Sequence, residues 1–220
     1  MTIPMTILRH NRVELALHHL RAGQGRPLLL VHGLGERSPT AVPAHLAGWP
    51  GPVHALDLTG HGRSSAAPGG GYTAEVLMAD VDHALAHLGA CTLVGRGLGA
   101  YVSLLVAGAR PELVQGTILL DGPGLAGGGP SPGSPVVVTH LSQPTPVGTP
   151  DPFAFSELAR DPRPPDYAAT FARLAATRSG LDVAVAVCGR NRPEWLAAVL
   201  AEPGVAEMPL PEALEVFGRP

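Results

Sequence analysis

Residues 90–109, ACTLVGRGLGAYVSLLVAGA, decide the fold. The apolar run from Cys91 reads as a buried strand, and the small, apolar residues after Gly99 read as a helix. Between them, Gly95-Arg96-Gly97-Leu98-Gly99 has the spacing of the sharp strand-to-helix turn G-x-S-x-G, in which the middle residue stands above the sheet. A residue in that place sits at positive φ, which costs a side-chain-bearing residue about 1–3 kcal/mol and glycine almost nothing. Gly97 fits the turn and presents no reactive atom.

Composition narrows what surrounds this unit. The chain has 220 residues, 45% of them hydrophobic, which suits one domain with a sizeable core. Net charge is −3 and all 15 basic residues are scattered arginines, so no basic stripe points to nucleic acid or to an anionic membrane. The absence of lysine removes Schiff-base chemistry. Cys91 and Cys188 fall in apolar, strand-like runs and read as reduced buried thiols, which favours a cytoplasmic setting. The N-terminal residues lack a long apolar core after a basic start, and no run reaches the ~18–20 apolar residues of a membrane span. No metal and no cofactor is assigned.

Outward from the central unit, strands and helices alternate. Residues 6–10 and 13–20 are β-rich segments around Asn11-Arg12, the spacing of a hairpin. Residues 27–32 form a buried strand ending in His32-Gly33-Leu34-Gly35, and a helix is expected at 40–47. A second buried strand, 53–58, closes in Thr59-Gly60-His61-Gly62-Arg63-Ser64, and Thr73 opens a helix. After the central unit, residues 116–120 form another strand, ending at Asp121. The pattern is that of βαβ units on a parallel sheet. Then regularity lapses: 15 of the 31 residues from 122 to 152 are Gly or Pro. Helical spacing at 152–160 and 166–176 reads as a small cap, so the single domain, 1–220, carries an excursion and cap at about 122–180. Residues 182–188 return to the sheet, followed by a helix at 193–201, a last strand at 205–210 and a terminal helix at 212–217.

His32-Gly33-Leu34-Gly35 after one strand, Gly60-His61-Gly62-Arg63-Ser64 after the next, and the turn at Gly97 together resemble the α/β-hydrolase superfamily over roughly residues 10–125. That resemblance implies an α/β fold with a mostly parallel, doubly wound sheet, a pocket at the carboxyl ends of the strands, and an oxyanion hole built from two backbone N–H groups. Carried over, those donors are Leu34 and Leu98, and Gly97 holds the place of the nucleophilic serine. The resemblance also implies an acid after the strand at 182–188, where this chain has Gly189-Arg190-Asn191-Arg192, and a histidine after the last strand. The last histidine here is His140.

The catalytic triad is therefore expected to be lost. His32 reads as fixing the turn by hydrogen bonding, His61 as a local packing residue, Asp121 as a pocket carboxylate without a histidine, and His140 as the one candidate for a migrated base. Ser64, Ser65 and Ser103 are not expected to be nucleophiles. Two functions follow. The first is a catalytically degenerate member that keeps a small-molecule pocket. The alternative is an atypical hydrolase or lyase, acting on a small ester, lactone or related carbonyl compound, with Asp121 and one of His32, His61 or His140 directing water into the space at Gly97. The ligand is expected to place a carboxylate or polarised carbonyl near Gly97, within reach of Arg96, and an apolar body under Phe153, Tyr167 and Phe171. A homodimer is left open.

Overall fold

The computed structural model describes residues 4–10, 12–67, 69–131 and 150–219. Its centre is an eight-stranded sheet in the order β1-β2-β4-β3-β5-β6-β7-β8. The strands are β1 (Met5–His10), β2 (Val13–Arg21), β3 (Leu28–Val31), β4 (Val53–Leu56), β5 (Cys91–Arg96), β6 (Val114–Leu120), β7 (Val185–Val187) and β8 (Val205–Glu207). β1 and β2 form the expected antiparallel hairpin, with His10 opposite Val13, and β2 joins β4 antiparallel. Every later pairing is parallel.

Parallel strands covered on both faces read as unbroken apolar runs rather than alternations. β3 shows this, since all four of its residues are buried. Its side chains nevertheless divide by pleat. Leu29 and Val31 join a core shared with α1 (Ala74–Leu88), α2 (Leu98–Ala109), α4 (Pro165–Arg178) and α5 (Glu194–Leu200), whereas Leu28 and Leu30 join a second core under α6 (Leu210–Gly218). Thr73 caps α1 by accepting the Val76 N–H at 3.3 Å. α2 is buried at eleven of its twelve positions and presses close to the sheet: a Cβ at Gly99 would lie 2.3 Å from the Val31 carbonyl oxygen.

Two regions shape the ends of the strands. The helix expected at 40–47 is reduced to one 3-10 turn, Ala44–Leu46. Pro43 and Gly48, poor helix formers on either side, favour this short turn over a regular helix, and the Trp49 N–H closes a further turn onto the Leu46 carbonyl at 3.1 Å. The helical stretch after residue 150 divides in two. α3 (Pro152–Leu158) is pinned over the loops that follow β3 and β4, with Asp151 accepting from the Tyr72 hydroxyl and Glu157 from the Tyr72 N–H, each at 2.7 Å. α4 instead lies along α2 and α5 in the helical layer. The Gly/Pro-rich excursion falls largely at 132–149, outside the described residues.

Candidate functional site

β5 ends at Arg96 and α2 begins at Leu98, so Gly97 alone makes the turn, at φ 59° and ψ −119°. That backbone suits glycine. The same turn aims the Leu98 N–H upward, and the loop after β3 aims the Leu34 N–H at the same point. Both donate to one acceptor: the Pro123 carbonyl oxygen, 2.9 Å from Leu98 N and 3.0 Å from Leu34 N. The oxygen on which these two N–H groups converge belongs to the chain itself. A ligand head cannot use these groups without displacing Pro123.

Gly97 and Pro123 are mutually dependent. A Cβ at residue 97 would lie 2.1 Å from the Pro123 oxygen and 2.6 Å from the Gly122 carbonyl carbon, both backbone atoms. Any side chain there would expel the 122–124 loop. That loop takes its shape from Gly124, at φ 74°, where a Cβ would meet the Leu34 Cβ at 2.6 Å. Over it lies an open cavity of about 640 Å³, walled by Leu34, Gly124, Leu125, Asn191 and Pro193 among others.

The titratable candidates are committed elsewhere. His32 is buried; its Nδ1–H donates to the Gly33 carbonyl at 2.8 Å and its Nε2 accepts the Leu58 N–H at 3.1 Å. Burial, with His61 nearby, lowers its pKa to about 4, so the ring is a neutral tie between two loops. The His61 ring lies 5.0 Å from it, and Nδ1–H donates to the Thr59 carbonyl at 3.1 Å. Its Nε2 is buried without a partner among the described residues, and burial lowers its pKa. A carbonyl orients this ring where a triad would use a carboxylate.

Asp121 does not face a histidine among the described residues. Its carboxylate accepts the Arg190 N–H at 2.7 Å and the Asn191 N–H at 3.1 Å, tying the end of β6 to the loop after β7. Burial opposes ionisation, yet these hydrogen bonds and the Arg192 charge leave its pKa lowered. His140 lies outside the described residues.

The remaining expected pocket residues disperse. Arg96 turns to Glu36, with Nε and Nη2 each 3.0 Å from its carboxylate, and its Nη1 donates to the Asp121 carbonyl. Phe171 packs where a Cβ at Gly108 would meet its carbonyl oxygen at 2.5 Å. Gly108 is ten residues along α2 from Leu98, roughly 15 Å from the turn. Phe171, with Tyr167 edge-on at 4.9 Å, therefore covers the far end of α2 and not Gly97. Phe153 is 41% exposed on α3.

Several residues that organise the site give little signal in the sequence. Asp57, buried at the end of β4, accepts from His18 Nε2 at 2.9 Å, Ser38 N at 2.7 Å and Arg63 N at 2.8 Å. Burial alone would raise its pKa, but these bonds hold it well below the usual carboxylate range. Gly62, at φ 55°, is required beside it, since a Cβ there would lie 2.2 Å from Asp57 Oδ2. On the sheet face away from α2, the missing helix leaves a cavity of about 490 Å³. Its floor is Leu30, Val94, Leu120 and Leu46, and Glu36 and Arg96 lie at its rim. Among the described residues no three His, Cys, Asp or Glu side chains are placed to hold a metal ion.

This sheet order, with a glycine-bounded turn from β5 into α2, is that of the α/β-hydrolase framework. The chain belongs to the alpha/beta hydrolase family, whose sequence profile matches residues 28–217. It is 32% identical over 128 residues to a probable alcohol acetyltransferase of Wickerhamomyces anomalus, covering 54% of this chain and 36% of that protein. It is 31% identical over 123 residues to the (E)-2-((N-methylformamido)methylene)succinate hydrolase of Acinetobacter baylyi, covering 52% of this chain and 43% of that one. The matches thus span less than half the length of these relatives. Among solved structures, the thioesterase domain from the curacin biosynthetic pathway superposes with a TM-score of 0.67 at 17% identity, over 99% of this chain and 97% of that one, which shows a shared fold.

Proposed function

We propose that this chain is a non-hydrolysing member of the family that binds a small molecule carrying a carbonyl or carboxylate group. One observation carries the reading: the Pro123 carbonyl oxygen accepts both the Leu34 and Leu98 N–H groups. Acyl transfer depends on such donors being free for the oxyanion that develops in the transition state. With those donors satisfied internally and no oxygen at residue 97, neither electrophile activation nor covalent attack has its parts. The water-directing alternative needs Asp121 to pair with a histidine, whereas its oxygens accept main-chain N–H groups of the β7 loop.

Cavities of about 490 and 640 Å³ near the strand ends are of a size for small molecules and support retained binding. The free thiols Cys91 and Cys188, pushed up to about 12 and about 11 by burial, support a reducing compartment such as the cytoplasm. No helix among the described residues is long and apolar enough to cross a membrane. The test is incubation with a fluorophosphonate probe and turnover on p-nitrophenyl esters, lactones and thioesters, using protein free of contaminating esterase. The expected result is no labelling and no turnover. Stoichiometric labelling, or ester hydrolysis that co-purifies with the protein through successive columns, would overturn the reading.

A further inference from the structure

Arg163 lies in the loop between α3 and α4 and is 1% exposed. Its guanidinium carbon stands 4.9 Å over the centre of the Tyr101 ring, and Nη1 donates to the Leu125 carbonyl, which also accepts the Trp195 indole N–H at 2.8 Å. The opposite edge, Nε and Nη2, is buried without a hydrogen-bond partner among the described residues. The neighbouring carboxylate, Asp161, accepts the Ala74 N–H at 2.9 Å and forms no ion pair with Arg163 among those residues. None of the residues outside the description has a carboxylate side chain. A cation and its donors buried in this way are unfavourable unless something completes them.

Three other described arginines turn the same guanidinium edge to a carboxylate. Arg96 turns Nε and Nη2 to Glu36, Arg110 to Asp82, and Arg173 to Glu202, each a two-point grip on a carboxylate. Arg163 lines a cavity of about 480 Å³ with Gly127, Gly128, Gly129, Pro130 and Trp195. The loop that closes over the fork must be glycine, since a Cβ at Gly127 would lie 2.6 Å from Arg163 Nε and one at Gly128 would collide with the Arg160 carbonyl oxygen at 1.9 Å.

We propose that the Nε/Nη2 edge of Arg163, under the 127–129 glycine loop, binds the carboxylate of a small organic acid. The inference deepens the ligand-binding reading by naming the group that is gripped and where. A monoanion matches the site. Of the other charged groups on the cavity wall, Arg192 is paired with Glu207 at 2.7 Å and Glu194 adds negative charge, and the Asp161 charge already acts on the Arg163 guanidinium, so a dianion such as phosphate is disfavoured relative to a monoanion. Pro130, Pro193 and Trp195 supply apolar wall for the body of the acid.

The test follows the arginine Nε–Hε resonances of ¹⁵N-labelled wild-type protein. Sodium acetate, propionate or benzoate is titrated at constant ionic strength against sodium chloride and inorganic phosphate. The proposal predicts a saturable downfield shift of the Arg163 signal with at least one acid and none with chloride or phosphate. It also predicts a rise in Tm of roughly 3–6 °C at tenfold excess over Kd, absent in Arg163→Met. An Arg163 signal that no acid moves, or that phosphate moves equally, overturns the proposal even if Arg163→Met fails to fold. Ester turnover by the wild type would instead overturn the non-hydrolysing reading and leave the Arg163 result standing.

Discussion

The amide of Leu98 and the carbonyl of Pro123 are hydrogen-bonded at 2.9 Å across the mouth of the strand-to-helix turn. Leu98 is the first residue of α2, and the positive end of that helix adds to the pull on an oxygen. Since Leu34 N also reaches the oxygen, at 3.0 Å, the chain satisfies with its own backbone the two donors that related folds turn toward a reacting carbonyl. A side chain at residue 97 and Pro123 in this position exclude each other, because the two cannot share the space.

Restoring serine should therefore harm the protein without reviving it. Backbone strain at positive φ costs about 1–3 kcal/mol and intrusion into a packed site about 1–3 kcal/mol more, so Gly97→Ser is expected to lose at least about 2 kcal/mol. Thermal denaturation should show Tm falling by roughly 4–8 °C, with p-nitrophenyl ester turnover still absent. A variant as stable as the wild type would mean that Pro123 does not occupy the space above Gly97.

Asp57 is the anchor of the loops after β3 and β4. Asp57→Asn keeps the volume but replaces one accepting oxygen with a donor that faces Ser38 N–H, Arg63 N–H or His18. The expected cost is about 3 kcal/mol, read as a lower urea midpoint at unchanged m-value. No loss of stability would show that the His18–Asp57 contact is dispensable.

Stability should fall between pH 6.5 and pH 4. His32 titrates near 4 in the fold, below its ordinary 6.5, so the unfolded chain takes up the proton first and stability is lost as pH drops through that window. The full effect is about 3 kcal/mol for this one ring. His19, His54 and His61 are lowered in the same direction by burial. Asp80, raised to about 6 by burial, and Asp161, also raised, oppose them, since their folded forms hold protons that the unfolded chain has released. Four histidines against two carboxylates leave a net loss on acidification. Denaturant titrations at pH 7, 5.5 and 4.5 check it; stability that is flat or rising toward pH 4.5 would contradict the buried, neutral state of His32.

The sheet, the hairpin and the turn at Gly97 were legible because each depends on local pattern: apolar runs, a two-residue connection, and glycines flanking a sharp turn. Leu34 and Leu98 were legible as a pair of donors only through the resemblance to the α/β-hydrolase superfamily. The oxygen between them was not. Gly122-Pro123-Gly124 reads as the start of a Gly/Pro-rich excursion, and no local rule says that a loop after β6 folds back over β5 and α2. Asp57 was hidden because it sits at the end of an apolar strand, and Arg163 because an arginine among prolines reads as solvated. Helical spacing gives the face of α4 on which Phe171 lies but not the end of α2 that it meets.

The central claim is best tested by a long-range HNCO spectrum that detects scalar coupling through hydrogen bonds. Donation of the Leu34 and Leu98 N–H groups to Pro123 predicts two cross-peaks to one carbonyl carbon, that of Pro123, with both amides protected from hydrogen exchange. Absence of both cross-peaks together with rapid exchange at Leu34 and Leu98 would contradict it, and would mean that the donors stand open to a ligand.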